Sequence, residues 1–149
     1  MSASVRDVIK LIDDWHPRSC KTEKDFERSL HRHLEKNLKD VNVIKQYAAG
    51  RVKGDIVVDE KILIEIKDRL KSTAQLQRLL GQIDIYASQW KGKVIVIICG
   101  ESERDLMKTL KSKIENLKAQ TLLFVDQSIF LVDRCAPEEK SWLSTFLGD

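Results

Sequence analysis

Three charged residues stand at fixed spacing in the stretch 54–67, which reads GDIVVDEKILIEIK: Asp55, Glu65 and Lys67. Two facing carboxylates suit an octahedral Mg²⁺ or Mn²⁺ ion whose other ligands are water, a backbone carbonyl and a substrate phosphate. A lysine beside them can orient an attacking water or stabilise charge on the phosphate. The residue types therefore favour metal-dependent chemistry on a phosphate ester, provided that the fold brings the three side chains to one surface.

A β-hairpin is the element that must position them. Apolar runs at 56–58 and 62–66 flank the polar triplet 59–61, which is the pattern of two strands joined by a turn. Because side chains alternate along a strand, Glu65 and Lys67 share one face of the second strand.

The length of the hairpin loop decides whether the two acids meet. If the loop is the triplet 59–61, Val58 pairs with Ile62, and the same count places Asp55 directly opposite Glu65. A two-residue loop would turn Asp55 to the other face of the sheet. The apolar runs on either side of the triplet favour the three-residue loop, and the meeting of the two acids depends on that register.

The facing carboxylates need a counter-charge. At a separation of about 5 Å they repel each other by about 3 kcal/mol at an effective dielectric of about 20. A bound cation would offset this repulsion, and Lys67 could also do so alone. In the second case the stretch is a surface hairpin with a salt bridge.

Hydrophobic periodicity predicts the other elements. A first helix covers residues 4–15, a second is capped by Thr22, and a third covers 72–90 with Ser72 as its N-cap and Gly92 just past its end. A fourth runs through 106–117, and a final one covers 138–147. The predicted strands outside the hairpin cover residues 41–47, 94–99, 121–125 and 129–132.

This order of elements predicts an α/β fold with a mixed central sheet and helices on both faces. Residues 41–66 should form a three-stranded antiparallel meander, joined to the strand 94–99 by a right-handed βαβ crossover.

Composition is that of one ordinary domain, 1–149, with 42% hydrophobic and 33% charged residues. No apolar run approaches the roughly 20 residues of a membrane helix, and the first residues do not resemble a signal peptide, so a cytoplasmic location is expected. Cys20, Cys99 and Cys135 are odd in number and widely spaced, which favours neither a disulfide framework nor a zinc site.

Positive charge is concentrated near the hairpin. The net charge is only +3, but residues 45–78 contain eight bases and five acids. A local excess of bases around clustered acids suits a polyanionic substrate.

The hairpin residues resemble a known family motif. Asp55, nine further residues and then Glu65-Ile66-Lys67 resemble the motif of the PD-(D/E)XK nuclease superfamily, with Gly54 in place of the usual proline. The resemblance covers roughly residues 22–100 and implies a restriction-endonuclease-like fold.

Two helices add to this resemblance. Gln82 and Tyr86 lie four residues apart, hence on one helix face, and resemble the QxxxY motif of the RecB-type exonuclease branch. They could equally be a surface amide and a half-buried core residue. Glu27 resembles the acid that the superfamily often has on its earlier helix, and Glu23, one turn before it, competes for that position.

The resemblance implies Mg²⁺-dependent hydrolysis of phosphodiester bonds, with Mn²⁺ able to substitute, most naturally in DNA during repair, recombination or defence. The implied catalytic residues are Asp55, Glu65, Lys67, Gln82 and Tyr86. The implied metal ligands are Asp55, Glu65, Glu27 and the backbone carbonyl of Ile66. The expected contacts to nucleic acid are Arg51, Lys53, Arg69, Lys71, Gln75 and Arg78.

Several points stay open in the sequence. It does not decide between DNA and RNA, or between endonuclease and exonuclease action, and a homodimer or a partner protein is expected to help choose the target. The alternative function is a catalytically inactive module of the same fold that binds nucleic acid or scaffolds a partner complex.

Overall fold

A five-stranded mixed β-sheet forms the centre of the protein, in a computed structural model that describes residues 3–121 and 128–136. The strands are β1 (Val43–Ala49), β2 (Val52–Val58), β3 (Ile62–Asp68), β4 (Lys93–Gly100) and β5 (Ile129–Cys135). They lie side by side in chain order. β1, β2 and β3 pair antiparallel, and β3, β4 and β5 pair parallel. The predicted meander and the parallel pairing after it are thereby confirmed.

Helices pack on both faces of the sheet. They are α1 (Val5–Asp13), α2 (Glu23–Asn37), α3 (Thr73–Gln89) and α4 (Arg104–Thr121). The apolar side chains of α1 and α2 form one cluster with one face of the strands, and those of α3 and α4 form a second cluster with the other face. The predicted α/β class, with a mixed sheet between two helical layers, is confirmed.

The central strands supply both clusters because their side chains alternate. Leu63 belongs to the α3 and α4 cluster, whereas Ile62, Ile64 and Ile66 belong to the α1 and α2 cluster. β4 is apolar on both faces, as expected for a buried parallel strand. Its Cys99 is buried in the α1 and α2 cluster.

Local capping sets where two of the helices begin. The Thr22 hydroxyl accepts the Asp25 N–H, and the Asp25 carboxylate accepts the Thr22 N–H, which closes a capping box at the start of α2. Ser72 and Gln75 form the same arrangement at the start of α3. Such a cap typically stabilises a protein by about 1 kcal/mol. Both predicted N-caps are confirmed.

Gly92 lies just past the end of α3, as predicted, and Trp90 is the C-cap. Glycine is required at 92 because a Cβ there would lie 1.9 Å from the Lys61 carbonyl oxygen. Two other local predictions were wrong. α1 ends at Asp13, so Trp15 lies beyond it, although it remains buried.

The predicted strand at 121–125 does not begin at 121, since Thr121 is the last residue of α4. The rest of that strand and the predicted helix at 138–147 fall outside the residues that the structure describes. Among the described residues, no helix is both long and apolar enough to cross a membrane.

Candidate active site

The β2–β3 hairpin has the three-residue loop that the sequence predicted. Val58 pairs with Ile62, and the Lys61 N–H donates to the Val58 carbonyl oxygen at 3.1 Å. Asp59 and Glu60 both have positive φ, 55° and 57°, which is the left-handed conformation that tight turns use. Counting on from the observed pairs places residue 55 opposite residue 65.

Asp55 lies where the β2–β3 ladder gives way to a side-chain contact. Backbone pairing runs from Val58 to Ile56, and beyond it the Asp55 Oδ2 accepts the Ile66 N–H at 2.7 Å. Burial raises the pKa of Asp55 to about 6. The Ile66 N–H opposes that rise, and the charges of Glu27 and Glu23 add to it.

Glu65 is almost fully buried, with 4% of its surface exposed. Its Oε1 lies 3.5 Å from the Lys67 Nζ, and its Oε2 lies 2.8 Å from the Tyr86 hydroxyl. Burial, followed by repulsion from Asp55, raises the pKa of Glu65 to about 7, against the opposing effects of Tyr86 and Lys67. The two acids are therefore close enough to titrate as a pair.

Tyr86 connects α3 to both strands of the hairpin. Its hydroxyl contacts the carbonyl oxygen of Lys53 on β2 as well as Glu65 on β3. A phenol has one proton to donate, so the two acceptors share it when Glu65 is ionised. When Glu65 is protonated, it can donate to the Tyr86 oxygen instead. Burial and the charge of Glu65 raise the pKa of Tyr86 above its ordinary value.

Asp55 and Glu65 line a pocket with a volume of about 180 Å³, and Gln82 lines it from α3. The Gln82 Oε1 is buried and accepts no hydrogen bond within the described residues. A buried acceptor without a partner is uncommon in folded proteins, and here it is available to a donor on a ligand. The pocket is lined by Gln46, Tyr47, Ala48, Lys53, Gly54, Asp55, Glu65 and Gln82.

Of the two candidate acids on α2, Glu27 has the larger electrostatic effect on Asp55. It is buried, and its charge raises the pKa of Asp55 more than that of Glu23 does. Glu23 is exposed, and its Oε1 accepts the Asp68 N–H at 3.2 Å. Of the two candidates that the sequence left open, Glu27 is therefore the one with the larger electrostatic effect on Asp55.

Gln46 belongs to the site although the sequence did not single it out. Its Nε2 donates to both carboxylate oxygens of Glu27, at 2.7 and 2.8 Å. The sequence shows only a polar residue in the middle of a predicted strand. Its place beside the site follows only from the pairing of β1 with β2.

Four of the six predicted contacts to nucleic acid line one of two pockets, and two do not. Lys53 lines the pocket of the paired acids. A second pocket, at the end of β3, is lined by Glu23, Lys67, Asp68, Arg69, Leu70, Gln75 and Arg78. Gln75 uses its Oε1 in the α3 cap, which leaves its amide nitrogen for a ligand. Arg51 and Lys71 line neither of these pockets.

The acids fit a divalent cation as a two-carboxylate site. Among residues 3–121 and 128–136, no three His, Cys, Asp or Glu side chains come together as a metal-ligand group. Mg²⁺ often takes only one or two carboxylates and completes its shell with water and substrate phosphate. Asp55 and Glu65 could provide such a pair. Burial raises the pKa of both acids, and repulsion from Asp55 adds to the rise at Glu65.

No protein-family model matches this chain, and no curated protein or solved structure does so either. The chemical character of the site therefore rests on its own side chains. It combines two coupled carboxylates, an ammonium group 3.5 Å from one of them and a tyrosine that holds that same carboxylate.

Proposed function

We propose that the protein is a Mg²⁺-dependent nuclease of the PD-(D/E)XK type, with a restriction-endonuclease-like fold, that hydrolyses phosphodiester bonds in DNA. The observation that supports this most strongly is the packing of Lys67 at 3.5 Å from Glu65, on a hairpin whose register sets Asp55 opposite that same glutamate. A simple surface salt bridge would not need a buried acid with a second, half-buried acid opposite it.

The chain's own residues divide the work of the reaction among them. Asp55 and Glu65 would hold Mg²⁺, with Glu27 and the Ile66 carbonyl in support, and the ion would supply Lewis-acid activation of water and phosphate. Lys67 places a positive charge beside the acids, where it stabilises the charge that develops on the phosphate. Tyr86 holds the Glu65 carboxylate in place, and Gln82 offers its free amide oxygen to the substrate.

The second pocket extends the site towards the rest of a polynucleotide. Lys67 and Arg78 line it from β3 and α3, and the described residues give Arg78 no ion-pair partner. Neighbouring phosphates of the strand would pair with these bases. The proposal includes a cytoplasmic site of action and a homodimer or partner protein that selects the target.

The test is cleavage of labelled single-stranded, double-stranded and branched DNA, with RNA alongside, in Mg²⁺, Mn²⁺ or chelator. Asp55→Asn and Lys67→Ala should each reduce cleavage by about 100-fold or more, and chelator should abolish it. Glu60→Gln and Lys61→Ala are matched controls, since both residues are exposed in the hairpin loop. Cleavage that persists in chelator, or in both site variants, would overturn the proposal.

A catalytically inactive nucleic-acid-binding module is the second candidate. The lack of a three-residue metal-ligand group among the described residues favours it. In that case the same substrates would bind with a salt-dependent affinity, but none of them would be cut in either metal.

A further inference from the structure

Gln46 lies in line with the two acids across three strands. On β1, Lys45 pairs with Ile56 and Tyr47 pairs with Gly54, so position 46 falls opposite Asp55. Because residue 55 falls opposite residue 65 by the hairpin count, a glutamine, an aspartate and a glutamate follow one another across β1, β2 and β3.

The side chain of Gln46, on β1, binds the carboxylate of Glu27 on α2. Its amide donates to both oxygens of Glu27 on α2, and the described residues give that carboxylate no other side-chain partner. A buried carboxylate is costly unless it is hydrogen-bonded. Glu27 is 7% exposed, so its orientation depends on this one amide.

The backbone of Gln46 has an unfavourable conformation for its residue type. Its φ is +55° in the middle of a strand, a region that residues with a side chain rarely adopt. The turn after β1 has a glycine, Gly50, at its own positive φ of 61°. Position 46 is not a glycine, so its positive φ is strained. Strained conformations of this kind concentrate at functional sites.

We propose, resting on the metal-dependent function above, that Gln46 is a positioning residue for the cation site. Its amide holds the Glu27 carboxylate, so that α2 contributes a negative charge close enough to act on Asp55. The strained backbone turns the amide towards α2. Gln46 itself is exposed and outside both apolar clusters, so a role in core packing does not account for it.

The experiment measures Mn²⁺ affinity of the full chain by electron paramagnetic resonance and, separately, thermal unfolding in chelator. Gln46→Ala and Gln46→Gly both lack the amide, but only glycine relieves the positive φ. We expect both variants to lose Mn²⁺ affinity to the same extent, about 10-fold or more as for other partners of metal ligands. We expect Gln46→Gly to unfold at the higher temperature of the two.

A double-mutant cycle separates positioning from a general effect on the fold. In a Glu27→Ala background, Gln46→Ala should cause no further loss of Mn²⁺ affinity, because the residue it acts through is gone. Lys45→Ala, at the exposed neighbouring position, is the control and should bind Mn²⁺ as the natural chain does.

Each outcome has a clear meaning. Unchanged affinity in both Gln46 variants, affinity that follows unfolding temperature, or a full additional loss in the Glu27→Ala background would overturn the role of Gln46 while leaving the nuclease proposal intact. If the natural chain shows no Mn²⁺ binding that Asp55→Asn removes, the cation site itself fails, and the role of Gln46 fails with it.

Discussion

The Tyr86 hydroxyl lies 2.8 Å from the Glu65 Oε2 and also contacts the carbonyl oxygen of Lys53 on the adjacent strand. One phenol therefore ties α3 to the strand of each acid, near the end of the hairpin where backbone pairing has stopped. The same contact lowers the pKa of Glu65, in opposition to burial and to Asp55.

Removing this hydroxyl should change both the pH dependence and the stability. In Tyr86→Phe the pKa of Glu65 rises further, so cleavage requires a higher pH, and the acid limb of the kcat/KM profile moves upwards. Stability should fall by about 1 kcal/mol, which is typical of one lost hydrogen bond. An acid limb that stays in place would show that Tyr86 does not act on Glu65.

The paired acids should make the metal-free protein less stable as the pH rises. Both folded-state pKa values are raised, to about 6 and about 7, so the folded chain binds protons more tightly than the unfolded chain. The unfolding free energy in chelator should therefore fall between about pH 4 and pH 8, by up to about 6 kcal/mol, since one pKa unit corresponds to about 1.4 kcal/mol.

Two comparisons check the origin of this pH effect by urea unfolding across the pH range. Asp55→Asn should flatten the curve, because it removes one acid and the repulsion on the other. Mg²⁺ should restore stability to the natural chain at the alkaline end by binding the folded state. Parallel curves for the natural chain and Asp55→Asn would contradict the assignment.

Gly54 should resist enlargement because of Leu63. A Cβ at position 54 would lie 2.8 Å from the Leu63 Cγ, closer than two carbon atoms can pack. Gly54→Ala should lower the unfolding free energy by about 1–3 kcal/mol, as overpacking does. The loss should be smaller in a Leu63→Ala background, and an equal loss in both backgrounds would place the cause elsewhere.

Arg134 should stabilise the fold without serving the site. Its guanidinium donates to the carbonyl oxygens of Ile12, Asp13 and Trp15, at 2.7, 2.8 and 2.6 Å, and so joins β5 to the end of α1. Arg134→Ala should cost about 2–3 kcal/mol, measured by chemical denaturation, because several carbonyls lose a charged donor.

A nearby ion pair supplies the control for Arg134. Lys111 and Asp133 pair at 3.2 Å with about half of each side chain exposed, so Lys111→Ala should cost less than about 1 kcal/mol. Activity per folded molecule should be unchanged in both variants. A larger loss for Lys111→Ala than for Arg134→Ala would reverse the ranking.

The hairpin could be predicted from the sequence because its information is local. The apolar runs and the polar triplet indicated where the turn lies, and a three-residue loop there implied the observed pairing of Val58 with Ile62. The N-caps Thr22 and Ser72 were found for the same reason, since each cap is made by residues three apart.

The place of Gln46 in the site could not be predicted, because it depends on the turn between β1 and β2. The sequence predicted a strand that ends at residue 47, whereas β1 continues to Ala49 and β2 starts at Val52. The register of β1 was therefore unknown, and with it the residue opposite Asp55. The close approach of Gly92 to Lys61 could not be predicted for a related reason, because it joins two distant parts of the chain.

The position of β1 at one end of the strand order has a further consequence for how the protein would respond to a cation. Within the described residues β1 pairs only with β2, whereas β3 is paired on both sides. Backbone amides of such an outer strand open and exchange their hydrogens sooner than those of inner strands. A cation that draws Glu27 towards the hairpin would tighten Gln46 as well, so slower amide exchange in β1 would signal an occupied site without any substrate.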